Sequence, residues 1–508
     1  MTVSDQLHKL IHALTRNEKR YFKIYAKNGS EGDYDYIALF DAIEKQKKYD
    51  EDKLLQTLGK AKWSKNLSAT KNRLYELLLR SLTEFHFDKS IDSKINNLIS
   101  YTRLLQNKGL YKPAVKYLNK AAELAQKHEK FTRSLEIMEI EKLLTIDMRM
   151  GKIAQGLQHI TELEKETVNR LLNKSAYMEA YFEAQKVYKN EKYLRSPEKV
   201  AAFEKILSNK LFKKEEEALS IYSKNIYYEL HSLHFWNISE GFQAYTIKKK
   251  QIELWHSQPE LLDEDAQTYI TLLSDFLYIS YHAGQIHELT ENIEKLRAIE
   301  TNDQELRRKI FVESSIFTLI FYQQQGDYDT CLHTLATIKK ELPNYEDLMN
   351  MEDKTRMFIS SSIIAFGGED FSQSLFWINK ILNMKEFEMR EDIHCFARIF
   401  NLFIHFELDD GRLLEYIIQS TYRFLTKRKK LFKLEKAVIR FLKKLINADD
   451  QEDMQVLFKS LREEFLIISE DPYEKKFFKV FDFITWLEAK IEGRKYKDLI
   501  KERAVKKN

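Results

Sequence analysis

The chain has 508 residues, 44% hydrophobic and 31% charged, which supplies a core and excludes general disorder. With 13 Gly and 5 Pro it has too few turn formers for a large β fold or a loop-rich α/β enzyme, so an all-α fold is expected. A net charge of +4 does not define a partner, and two cysteines, Cys331 and Cys395, exclude a disulfide framework or a four-thiolate zinc site.

No stretch of ~18 apolar residues occurs, so no membrane span is expected. The opening MTVSDQLHKL carries charge where a signal peptide needs apolar residues, and a cytoplasmic location is therefore expected. Residues 1–90 read as an N-terminal helical module with runs at 7–14, 15–27, 36–46, 50–59 and 68–86, Asp50 and Ser68 serving as N-caps. All of the net charge lies there, 17 Lys/Arg against 13 Asp/Glu. Lys60, Lys62, Lys65, Lys71, Arg73 and Arg80 set six cations against one acid, Glu76. Further basic clusters lie at 427–433 and 490–507. Such runs either contact phosphate or simply solvate a helix face.

From residue 91 to 508 the glycines form a ladder. They fall at 109, 151 (with 156), 241, 284, 326, 367/368, 411 and 493, at one or two multiples of about 43 residues. Turn-like segments near 195 and 453 fill the missing rungs. A period of this size is the mark of stacked repeats. After Gly109, Gly151, Gly284 and Gly326 the apolar residues recur at spacings of 3, 4 and 3, as in Tyr328, Cys331, Leu335 and Ile338, which is one face of a helix. Another amphipathic run precedes each glycine, so each unit is helix, short turn, helix. The expected fold is a right-handed α-solenoid of about ten antiparallel hairpins.

The segments NKGLYKPAVKYLNKAAEL (107–124) and QQGDYDTCLHTLATI (324–338) resemble the second half of a tetratricopeptide repeat. The resemblance covers roughly 94–508. It implies that first-helix residues two to three, six, and nine to ten before each glycine face a concave groove. These are Arg103, Lys142, Arg149, His231, Ser232, Phe235, Ser274, Asp275, Tyr278, Tyr281 and His282, aromatic in the middle and cationic toward the N-terminal end. Such a groove suits a peptide with acidic residues. Leu273, Phe276 and Leu277 fall inward. The start of the chain resembles that of some uncharacterised bacterial proteins, which implies no function, and its helix from Ser68 resembles a helix-turn-helix reader with Lys71, Arg73 and Arg80 partly outward.

Neither common nucleotide-binding glycine motif occurs. His8 and His12 have a zinc-compatible spacing without the glutamate of the metalloprotease motif. These two histidines, and the pair His231 and His234, read as packing or surface residues, and Cys331 as core. The expectation is a protein without catalytic residues, cofactor or metal. It would hold a partner protein segment in its groove. The alternative is a regulator that binds nucleic acid through residues 1–90, with the solenoid as sensor or dimeriser.

Overall fold

The computed structural model describes residues 3–27, 34–46, 49–58, 66–87, 90–148, 153–188, 197–238, 240–384, 391–409, 411–448, 451–470, 474, 478 and 480–507. Helix accounts for 84% of them and no strand is present among them, far beyond the ~30–35% helix of ordinary domains. The chain clusters into two compact units, Met1–Asp265 and Ala266–Asn508, which part inside the stretch that the sequence treats as one array.

The first unit opens with α1 (Val3–Ala13), α2 (Arg16–Lys27), α3 (Tyr34–Glu44), α4 (Glu51–Leu58) and α5 (Leu67–Phe85). They enclose a core of their own, which includes Leu7, Ile11, Phe22, Phe40, Leu74 and Leu78. Asp50 caps α4 by accepting the Lys53 amide at 3.0 Å. Ser68 is not a cap, because α5 already begins at Leu67 behind Asn66. Next come α6 (Ile91–Asn107), packed on α7 (Tyr111–Lys127), and α8 (Phe131–Asp147), packed on α9 (Ile153–Tyr188). The unit ends with α10 (Pro197–Leu207), α11 (Ile221–Asn237) packed on α12 (Gly241–His256), and α13 (Pro259–Glu264).

The second unit is a run of packed pairs. They are α14 (Ala266–His282) with α15 (His287–Arg297), α16 (Gln304–Gln324) with α17 (Tyr328–Glu341), α18 (Met351–Gly367) with α19 (Phe371–Leu382), α20 (Glu391–Glu407) with α21 (Gly411–Lys427), and α22 (Lys433–Leu445) with α23 (Gln451–Ser469). Beyond its own partner, α16 packs on α14, α15 and α18. Helices Phe483–Glu492 and Tyr496–Lys507 close the chain.

One turn geometry recurs. Gly109, Glu129, Gly284, Gly326, Glu369, Lys429 and Gly493 all take positive φ. In each case the next amide donates to the carbonyl five residues back, as in Leu110 to Leu105, Gln285 to Ser280 and Asp370 to Ala365, at 2.8–2.9 Å. This is the Schellman closure, which satisfies carbonyls a helix end would leave bare. A second contact keeps step with it. Thr102 donates to the Ala114 carbonyl (3.4 Å), Ser232 to Ala244 (3.1 Å), Ser362 to Ser374 (2.9 Å) and the Cys331 thiol to Leu319 (3.7 Å), always across twelve residues. Small side chains at these points let paired helices approach closely.

Two departures from the ladder have local causes. The rungs at 241 and 411 open the second helix rather than end the first, and at the 411 and 367/368 rungs the left-handed residues are Asp409 and Glu369. Two expected helices are fused in the 36-residue α9, whose sequence after Gly156 holds neither Gly nor Pro to break it. Gly151 and the 189–196 rung lie outside the described residues.

In the second unit the last helix crosses back over earlier turns. The Tyr496 ring lies 6.1 Å from Tyr328, and Lys497 pairs with Asp329 at 3.1 Å. Lys495 reaches Glu369 at 3.2 Å, and Lys490 and the Trp486 indole both bond Glu407 at 2.6 Å.

Candidate functional site

The residues proposed for a groove divide between the two units. In the first, Arg103 is exposed and bonded to Glu136 at 3.0 Å, and Lys142 to Glu164 at 2.5 Å. Both cations are spent on carboxylates, so they do not make a bare cationic end. Arg149 lies outside the described residues. His231 faces away from any groove role: its Nε2 lies 2.9 Å from the Phe212 carbonyl and its ring 4.4 Å from Tyr227. Burial holds its pKa below the ordinary histidine range. Phe235 is half-buried beside His234. Counting from Gly241 set the register two residues late. Ser232 therefore lands at the helix-to-helix bond, fully buried.

In the second unit Leu273, Phe276 and Leu277 are buried, and so is Ser274, ten residues before Gly284. Asp275, Tyr278 and Tyr281 are half-buried along α14, and His282 is exposed with its ring 4.4 Å from Tyr278. Tyr281 is hydrogen-bonded to Gln324 of α16.

These α14 residues meet a polar row that sequence reasoning missed. Lys309 of α16 donates to Thr271 at 2.7 Å, and burial holds it below the ordinary lysine range, offset by the charges of Asp275 and Glu313. Arg356 of α18 forks onto Glu313 at 2.8 and 3.1 Å; burial opposes its charge, but the carboxylate holds it above the usual arginine range. Arg308 pairs with Asp353 one step further along. Three successive first helices thus contribute to one network. The signal was present: these residues sit one to two helical turns N-terminal to the positions that the tetratricopeptide resemblance marks.

A cleft of about 990 Å³ opens between α15, α16 and α17, with Ser314, Thr318, Thr334 and Thr337 among its lining hydroxyls. Its cations are engaged, Arg297 with Glu294 and Thr318, and Arg307 with the Thr301 carbonyl. Glu300 and Glu341 also line it.

The nucleic-acid candidates fare unevenly. Lys60, Lys62 and Lys65 lie outside the described residues, and Arg73 and Arg80 are exposed. Lys71, expected outward, is buried and donates to Glu51 (2.8 Å) and Tyr49 (3.1 Å). It shares the inner face of α5 with Leu67, Leu74 and Leu78, at spacings of four, three and seven, which the helical period dictates.

His8 packs on His12 with ring centroids 4.3 Å apart, and its Nε2 lies 2.8 Å from the Gln46 carbonyl. Among the described residues no three His, Cys, Asp or Glu side chains group as a metal site, and no helix is long and apolar enough to cross a membrane. Cys331 is buried, which pushes its thiol up to about 12, far from the thiolate that nucleophilic chemistry needs. No protein-family model, curated protein or solved structure matches the chain.

Proposed function

We propose that the protein is a non-enzymatic interaction scaffold of the cytoplasm. In this reading it is a tetratricopeptide-like solenoid whose first-helix face holds a segment of a partner protein. The observation that carries it is the row Asp275, Lys309, Glu313 and Arg356, with Tyr278 beside it, drawn from three successive first helices. Stacked hairpins ordinarily bind along such a face. The row is balanced in charge, so it favours a segment carrying both signs over the purely acidic peptide that the sequence suggested. The recurring Schellman turns and twelve-residue cross-bonds support a repeat origin for the hairpins.

The test is a photo-crosslinking residue at position 278 of the full chain, expressed in its native host, against the same residue at exposed position 340 on α17. A discrete protein adduct from 278 and none from 340 is expected. Equal labelling from both, or recovery of a small molecule alone, sinks the reading. A nucleic-acid role for residues 1–90 is the weaker reading, because Lys71 is internal.

A further inference from the structure

Three basic clusters stand out in the sequence, and the structure treats them differently. In the last, Lys490, Lys495 and Lys497 are tied to Glu407, Glu369 and Asp329, and Arg494 and Arg503 to Glu502 and Glu488. In the first, Lys71 is buried.

The middle cluster sets its cations along one exposed helix face. From Tyr422 to Lys444 there are ten Lys/Arg and one acid, Glu435, and that acid is buried where it accepts the Phe432 amide. Lys433, Lys436, Arg440, Lys443 and Lys444 recur at spacings of three to four and form one exposed stripe along α22. Arg440, which also lines the groove beside this stripe, is bonded to Glu464 of α23.

Beside the stripe lies a groove of about 520 Å³ between α21 and α22. Its walls include Tyr422, Lys436, Lys443 and Lys444, and its apolar residues are Leu431 and Ile439. Tyr422 is 41% exposed, and the Lys443 ammonium stands 5.1 Å from its ring centroid. Behind it, the Phe424 ring has the Arg398 guanidinium at 4.0 Å and that of Arg428 at 3.9 Å.

We propose that this groove binds single-stranded nucleic acid, independently of the scaffold reading. Residues three or four apart on a helix have Cβ atoms about 5–6 Å apart, so the long side chains of this stripe can reach successive phosphates of an extended strand. A base laid on Tyr422 would cover the apolar floor while the backbone runs along the lysines. Aromatic stacking with a flanking cationic track is how sequence-neutral single-strand binders work. A duplex keeps its bases paired inside and leaves the Tyr422 face unused. An acidic peptide would meet the charge but has no planar group for the ring.

The experiment uses the full chain and a fluorescein-labelled fifteen-nucleotide oligothymidylate, read by anisotropy from 50 to 300 mM NaCl. Three to four phosphate contacts give a log–log salt slope of about −2 to −3. The triple variant Lys436→Gln, Lys443→Gln, Lys444→Gln should weaken binding at least tenfold and flatten that slope. The charge-preserving triple to Arg should retain binding. Tyr422→Ala should cost roughly 5- to 100-fold with the slope unchanged, and a Lys112→Gln, Lys116→Gln, Lys120→Gln control on α7 should do nothing. Circular dichroism of every variant must match the parent. Wild-type affinity in the stripe triple overturns the proposal. So does intact affinity in Tyr422→Ala with polyglutamate competing as well as DNA, or binding to phosphatidylserine vesicles without any to the oligonucleotide.

Discussion

The Cα atom of Lys501 lies 2.6 Å from the point where a side chain on Gly326 would begin. Gly326 also holds φ at +70°, so two separate demands exclude any other residue there. Gly284 meets only the second: its φ is +75° and nothing lies within 4 Å of its missing Cβ. Gly284→Ala should therefore cost about 1–2 kcal/mol, the left-handed penalty alone. Gly326→Ala should cost a further ~1–3 kcal/mol of overpacking and loosen the last helix. Urea denaturation of both variants, with hydrogen exchange on 496–507, checks the difference; equal losses would remove the role of Lys501.

Leu277 is fully buried on α14, the point where a carboxylate has no partner. Leu277→Asp should destabilise residues 266–508 by several kcal/mol, through desolvation of the charge or its forced protonation. Thermal melting followed by circular dichroism should become biphasic, with Met1–Asp265 retaining its transition. A single shifted transition would mean that the two units unfold together.

Glu435 should make the second unit less stable as the pH rises. Burial, with Glu474 adding to it, pushes its carboxyl up to about 7. A folded pKa above the unfolded one means that the native state holds the proton longer. The stabilisation is complete below about 4.5 and is lost as pH climbs through about 7, at most about 3–4 kcal/mol in all. Glu435→Gln keeps an acceptor for the Phe432 amide and removes the titration. Its melting temperature should vary less than wild type between pH 5 and 8.5.

His231 acts in the opposite sense on the first unit. Its depressed pKa keeps it neutral when folded, so its contribution is present above the unfolded value of about 6.5 and fades as pH falls from there through the folded pKa. Hydrogen-exchange protection factors across 221–237, corrected for the slower intrinsic exchange of amides in acid, should fall below pH 6 in the wild type. His231→Gln, still able to donate to the Phe212 carbonyl, should blunt that response.

The glycine spacing made the hairpins legible because a left-handed turn is cheapest at glycine, and Gly109, Gly284 and Gly326 each hold one. It misled where Glu369 and Asp409 take that conformation, since a non-glycine residue leaves no compositional trace. The errors were of two residues, enough to turn Ser232 from a groove position into a buried bond between helices. Lys71 departs from expectation for another reason: its place between Leu67 and Leu74 on the apolar face of α5 outweighs its charge, which Glu51 offsets. The network of Lys309, Glu313 and Arg356 was hidden because it depends on which helices become neighbours, and spacing within one helix cannot report that. The same holds for the last helix, whose partners lie far back in the chain.

That last helix also sets a clock on synthesis. Asp329 and Lys497 are 168 residues apart, yet they meet. At roughly 5–20 residues per second, a ribosome needs about ten to thirty seconds to deliver the second after the first. For that interval the turn at Gly326 and the Tyr328 ring stand uncovered on the nascent chain. The second unit therefore cannot finish one hairpin at a time; its turn at Gly326 waits until residues 496–507 have been made.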